Sequence, residues 1–404
     1  MRRLLAALAL WAACAAAAHA DDAAEEWAAS KGSAAEVQLH KQLKAAVRTI
    51  PGTETQYFVG GYLQLDAIAQ RKRQDGAEQN TFLVSTTPFA PAERDSRLSA
   101  RQSQFNWLSK TPTSAGDVWT RLEANLFPID GATRLEVNQA YVRVGESLIA
   151  GKTYSTFMDD AALPTTLDYN GPSGVTFMRQ ALVRGSYGFG SGWTVEGSIE
   201  DPQADFTANG QILDLRVGAR RPDLAARVRC EGERGHVQLA ALSRSLHASA
   251  RTPFGAAERN VEGSGVALSG SLPGFGDDTV LLQAASGKAI GRYFNDPLSA
   301  TGLARDPGGR LALVRSSGAT LYYQRQWAPD WMTVAGASAL WIGDEGLRPA
   351  DALKRAVYGS VNLLHRLGPR AIVGGELLWG EATRVSGESA GNSRLQLSFR
   401  YLIF

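Results

Sequence analysis

Arginine and aspartate are the residue types in this 404-residue chain whose placement could do chemistry. Arg97 and Arg101 stand four apart in "SRLSARQSQF", so on one extended strand they share a face. Arg121 is set between apolar neighbours in "WTRLEANLF", and Arg134 opens "RLEVNQAY". Asp159, Asp160 and Asp168 cluster in the stretch after "GKTYSTF", which is flanked by Lys152, Arg179 and Arg184. Guanidinium groups fork onto carboxylates, and rows of opposite charge facing each other across water create a transverse field. The chemistry on offer is electrostatic recognition of small charged solutes.

Bond-making chemistry finds little support. Of five histidines, His19 lies in the leader, His40 precedes the patterned region, and His236, His247 and His365 are scattered. Only "HAS" at His247–Ser249 brings a serine near an imidazole, and nothing in the sequence orients that ring. One cysteine outside the leader and dispersed histidines do not make a metal site, and there is no GxxxxGK[ST] phosphate loop. The sequence reads as a non-enzyme that needs no cofactor.

These charges require a scaffold. "MRRLLAALALWAACAAAAHA" is a secretory leader with cleavage expected before Asp21; a lipoprotein signal at Cys14 is disfavoured because Trp11 stands where Leu is usual. Without Arg2 and Arg3 the 42 basic residues become 40, against 40 acidic ones, and a neutral chain argues against a nucleic-acid partner. Cys230 is then alone, so no internal disulfide staples the fold. About 384 residues remain, enough for two soluble domains or one large barrel. No other apolar run reaches the ~18 residues of a membrane helix, so any membrane crossing is made by strands. Leu39, Leu43, Ala46 and Ile50 fall on one helical stripe, either a single amphipathic helix or a short coiled coil, which Pro51 ends.

From Tyr57 onward the period is two. "VGGYLQLDAIAQ" sets Leu63, Leu65 and Ala67 against Tyr62, Gln64 and Asp66; "TRLEANLF", "HVQLAAL" and "VYGSVNLL" behave alike. Tight turns such as "VGES", "GFGSG", "CEGERG", "WAPD" and "LGPR" alternate with mostly longer polar stretches, including 71–93, 157–176, 291–309 and 343–352. Short turns at one rim and long loops at the other are what a barrel inserted from one side of a membrane needs. Taking 201–222 as one long loop keeps that alternation and gives sixteen strands. The terminal "SRLQLSFRYLIF" is an amphipathic strand with apolar Leu395, Leu397, Phe399 and Tyr401, and closure onto the first strand would remove both edges. Phe404 falls one step out of that apolar row, a phase that a small bulge would repair.

The expected fold is therefore all-β: a 16-stranded antiparallel transmembrane β-barrel, with a leader at 1–20, a periplasmic helical segment at 21–56 and the barrel at 57–404. Several segments resemble the DcaP-like porins of the Gram-negative outer membrane: "PGTETQYFVGGYLQLDAIA", "SRLSARQSQFNW", "AYVRVGESLIAGKTYSTFMDDAALPTTLDYNGPSG" and "FMRQALVRGSYGF". The resemblance is densest over 57–189 and most specific over 151–174. It implies a homotrimer in the outer-membrane bilayer that admits small organic anions such as dicarboxylates. In such a barrel the loop after "GKTYSTF" would fold inward, setting Asp159, Asp160 and Asp168 opposite Arg97, Arg101, Arg121 and Arg134 on the wall, with Lys152, Arg179 and Arg184 as secondary candidates. Glu136 and Asn138 stand on the inward parity where more base would be expected, which leaves an unselective pore open. Arg179 and Arg184 have opposite parity and could both point inward only with a bulge. Two other readings are a soluble secreted β-rich binding protein and a structural or adhesive barrel.

Overall fold

Residues that alternate along the chain are sorted by the pleat onto two faces of one closed sheet. A computed structural model describes residues 47–74, 81–126, 135–203, 206–208, 214–252, 255–296, 302–305, 311–344 and 346–403. The leader, the helical stripe as far as Ala46, Arg134 and Phe404 lie outside the described residues.

The barrel has sixteen strands. The first is Gln56–Gln70, the second is split into Asp95–Ser99 and Gln104–Thr111, and Val118–Asn125, Glu136–Val144 and Leu148–Tyr154 are third to fifth. Arg179–Phe189, Trp193–Glu200, Asp223–Gly232, Gly235–Thr252 and Gly255–Pro273 are sixth to tenth. Thr279–Lys288, Arg315–Ala328, Trp331–Ile342, Leu353–Leu367, Ala371–Arg384 and Ser389–Leu402 complete the circuit. Each strand pairs antiparallel with the next, and the sixteenth returns to the first through pairs such as Leu63↔Tyr401 and Ala69↔Leu395. The terminal strand is thus covered by the first. This closed circuit replaces the two stacked sheets of the soluble alternative.

The outer face carries Leu63, Leu65, Leu122, Val183, Ile199, Leu239, Leu363, Leu377 and Leu397, all exposed. Tyr187, Phe189, Trp193, Trp331 and Tyr401 ring its short-turn end, with Trp341 and Trp379 toward the other, the aromatic girdles of a membrane barrel. Polar side chains turn inward: Gln64, Asp66, Gln396 and Ser398 are buried within the lumen.

Three local departures from strict alternation matter later. The second strand breaks at Ala100–Ser103, and its register against the first shifts by one residue, from Asp66↔Ser99 to Tyr62↔Gln104. The fourth strand bulges at Asn138, because Glu123 faces Gln139 while Ala124 faces Val137. Between the seventh and eighth strands, 201–222 is outside the barrel circuit, as its sequence implies, yet it is not plain loop: Asp214–Ala219 pairs with the upper part of the ninth strand. Two connections on the long-loop rim, Thr252 to Gly255 and Arg384 to Ser389, are short as well.

The apolar core lies inside the barrel. Phe82, Val84, Phe157, Leu167, Ile290, Tyr293 and Phe294 come from loops and pack against inward-facing Tyr322, Leu340, Tyr358, Leu364 and Leu378. Among the described residues, four loops contribute to this packing: the expected one after the fifth strand, and segments of the loops after the first, eleventh and thirteenth, the last through Leu347. Long polar loops can hide such inserts because a handful of apolar residues in each is enough to anchor it.

Candidate functional site

The loop joining the fifth and sixth strands folds across the lumen and is tied down along its length. Asp159 is buried and accepts hydrogen bonds from Ser269 Oγ at 2.7 Å and pairs with His236 Nε2 at 2.7 Å, while Arg229 lies 3.4 Å away. Asp168 accepts from the N–H groups of Phe82 at 2.8 Å and Gly171 at 2.9 Å, and its partner Arg394 lies at 3.4 Å, both side chains fully buried. Glu376 accepts from the N–H groups of Leu167 and Asp168, each at 2.8 Å. Two of the three loop aspartates therefore hold the loop to the wall and to the loop after the first strand.

The last anchor is steric. Gly174 N–H donates to Ser338 Oγ at 2.7 Å, and a Cβ on Gly174 would sit 2.3 Å from the Ala339 carbonyl oxygen. Gly174→Ala should lift this end of the loop from the thirteenth strand. Faster proteolysis of the loop in the folded barrel, seen as a clip on a gel, is the expected result; wild-type resistance would contradict it.

Two clusters of charge face the remaining space. In the first, Glu123 accepts from Arg121 at 2.7 Å and from Gln139 Nε2 at 2.9 Å, with Arg179 at 3.7 Å. Tyr169 joins the loop to this cluster: its hydroxyl accepts from Asn125 Nδ2 at 2.6 Å and from Arg179 at 3.4 Å. In the second, Glu196 pairs with both Arg184, at 3.6 Å, and Arg227. Arg227 also donates to the Met158 carbonyl at 3.2 Å, and Arg229 reaches Asp159. Asp160 sits within electrostatic reach of Arg184 and Arg227.

The sequence candidates divide accordingly. Arg121, Arg179, Asp159 and Asp160 come together beside the loop. Arg97 does face inward, opposite Ile68, but it lies near the long-loop end, where it pairs with Asp95. Arg101 does not share its face as a strand neighbour would: it occupies the break in the second strand, where the extra residue resets the parity, and its Nε donates to the Leu126 carbonyl. Lys152 needs a correction too. It pairs with Ala140, which pairs with Leu122, so it belongs to the lipid-facing row; its ammonium folds to the Val137 carbonyl at 2.7 Å and to Glu136 at 3.8 Å. Arg179 and Arg184 both reach the lumen despite opposite parity. Arg184 stands on the inward row with Gln180, whereas Arg179 is the strand's first residue and enters from its end. At the bulge Asn138 and Gln139 together oppose Glu123 and both are buried, so Gln139 joins the inward side against its parity.

Arg227, Arg229, Glu123 and Glu196 complete the site without having been singled out from sequence. The signal was present in "LAARVRC", where Arg227 and Arg229 share parity with Val228 between them.

A family model described as the porin subfamily matches residues 49–342. No curated protein matches the chain. Among solved structures, the chain is similar to the outer membrane channel DcaP of Acinetobacter baumannii, with a TM-score of 0.77 at 16% identity over 89% of this chain and 100% of that one. It is also similar to an anion-selective porin from Comamonas acidovorans, with a TM-score of 0.54 at 12% identity over 87% and 100% of the two chains. A trimer form of OmpT from Vibrio cholerae aligns with a TM-score of 0.52 at 11% identity over 86% and 99%.

Proposed function

Because this chain belongs to the porin subfamily, whose model spans most of its barrel, we propose that it admits small organic anions through a loop-narrowed lumen. It is a porin of the Gram-negative outer membrane, with short turns on the periplasmic side. The finer reading concerns what passes. Its chief support is the exposure of the charges. Arg121, Arg179 and Arg229 are 13%, 17% and 12% exposed, while their partners Glu123 and Asp159 are 6% and 0% exposed. At Arg121 and Arg179 the acid is the less exposed partner, whereas Arg229 also pairs at 3.1 Å with Glu231, which is 61% exposed. At Glu196 the order reverses, since it is more exposed than Arg184 and Arg227. Arg121 and Arg179 therefore carry the preference, and their planar donor forks suit carboxylates.

A homotrimer is part of the same proposal, on the analogy of the trimeric fold relative. Passive diffusion without catalysis belongs to it also. His247 Nδ1 pairs with Asn260 Oδ1 at 2.8 Å, a partner that gives the imidazole an occupation unrelated to Ser249.

The test is the reversal potential of the purified protein in a salt gradient across a planar bilayer. Wild type should favour anions. A unit charge about 4 Å from a permeant ion is worth about 1 kcal/mol in water, roughly a factor of five in permeability ratio. Arg121→Gln with Arg179→Gln should move selectivity toward cations by about that much. A cation-selective wild type, or no shift in the double variant, would end the anion reading.

A further inference from the structure

We propose that the periplasmic end of the lumen contains a second binding site, a side pocket for amphiphilic carboxylates that lies away from the arginine clusters. It is a cavity of about 650 Å³ beneath the infolded loop, against the inner wall of the first and the twelfth to sixteenth strands. Solutes that occupy it would be carboxylates with an apolar body, such as aromatic or branched short-chain acids.

The strand registers build this pocket in two layers. Near the mouth, Arg366 pairs with Ile372, Ile372 with Arg400, and Arg400 with Gln64. That places two guanidiniums on one inward row, two strands and so roughly 10 Å apart. Arg400 is oriented by its Nε donation to Gln64 Oε1 at 2.7 Å and lies 4.1 Å over the Tyr62 ring. One layer deeper, Leu364 pairs with both Met332 and Gly374. Gly374 lets the Leu364 side chain lie across its backbone, for a Cβ there would approach Leu364 Cδ2 to 2.6 Å.

The roof is apolar and fixed. Leu167 lines it, with its N–H on Glu376 at 2.8 Å and its carbonyl accepting from Gln396 at 2.7 Å and Gln102 at 2.9 Å. Above the roof sits the dry packing of Phe82, Tyr358 and Leu378. A solute entering from the periplasm would meet cationic donors first and an apolar shelf behind them. Asp330, 3.6 Å from His365, and exposed Asp277 lie at the turns of the mouth, while Asp66 and Glu376 are buried behind the lining, where Asp66 accepts from Gln64 and Ser398 and Glu376 from the Leu167 N–H. Burying an apolar body on the shelf adds favourable free energy to that of the charge contact. Charge alone or apolar surface alone would therefore bind weakly.

Calorimetric titration of the purified full chain in detergent tests this with three probes: benzoate, formate (charge without body) and benzyl alcohol (body without charge). Benzoate should bind at least tenfold more tightly than either of the others. Leu364→Trp and, independently, Met332→Phe fill the shelf and should abolish benzoate binding. Arg400→Gln should reduce benzoate to the level of benzyl alcohol. Heat-modifiable migration on a gel confirms that each variant is folded, and at least one of the two filling variants must be folded for the comparison to count. No benzoate binding to wild type, formate binding as tight as benzoate, or unaltered benzoate binding in a folded filling variant would overturn the proposal. The reversal potential of the filled variants should match wild type, so this site and the anion preference of the constriction can fail separately.

Discussion

Leu122→Arg is expected to destabilise the folded barrel by about 2–4 kcal/mol, whereas Arg121→Ala one residue away leaves folding essentially intact. Leu122 is 40% exposed on the lipid-facing row of the third strand, between Trp107 on the second and Ala140 on the fourth. An arginine at that position would place a guanidinium in hydrocarbon near mid-strand, where nothing polar is available to solvate it. Arg121 points the opposite way, into a wet lumen, and its loss leaves Glu123 with donors from Gln139 and Arg179. Refolding into lipid vesicles under a urea titration gives both numbers. Equal costs for the two substitutions would mean that the faces have been exchanged; a large cost for Arg121→Ala alone would mean that the Glu123 cluster supports the fold as well as the pore.

That contrast rests on alternation, and alternation is what made most of the architecture legible. A barrel strand exposes one face to lipid and one to water, so its identity is written locally, every second residue, from Leu63 to Tyr401. Strand count was readable for a related reason, since both chain ends must return to the same rim. What alternation cannot encode is a change of phase. The extra residue between Ser99 and Gln104 removes Arg101 from the face of Arg97, and the bulge at Asn138 brings Gln139 to the inward side beside it. Lys152 was misplaced for a different reason: its neighbours suggested a pore residue, while its register joins it to Leu122 and Ala140. The eighth-strand arginines were visible by parity, but nothing in the chain tells which of many inward charges stands next to the loop. That is set by where the loop lands.

The landing depends on loops whose contacts are non-local, which is why the infolded segments other than the one after the fifth strand were not legible. Phe82 through Val84 and Ile290 through Phe294 are apolar islands within long polar stretches. On a surface loop such residues would be exposed; their burial here requires the lumen as a cavity to fill. An apolar cluster inside an otherwise polar barrel loop is therefore a sign of infolding.

Asp168→Ala should release the plug of infolded loops while sparing the barrel. The carboxylate is fully buried and joins the N–H of Gly171 in its own loop to two partners from distant parts of the chain, the N–H of Phe82 and the guanidinium of Arg394. Removing one partner of a buried charged pair typically costs about 3–5 kcal/mol, because the other charge stays desolvated. Here the penalty falls on docking of the loops, since the strand ladder makes no use of Asp168. Arg394 keeps contacts to Gln70 at 2.9 Å and the Thr81 carbonyl at 2.6 Å, and these are too few to replace a carboxylate. Single-channel recording should show a larger and noisier conductance than wild type, with weaker ion selectivity, because the loop that sets the narrowest point spends time undocked. Heat-modifiable migration should be unchanged. Asp168→Asn, which keeps an oxygen for one of the two backbone donors but loses the charge, should fall between wild type and Asp168→Ala. If the alanine protein conducts like wild type, the loop is held by its apolar packing alone; if it fails to fold, the plug is part of the barrel's assembly rather than a filter added to it.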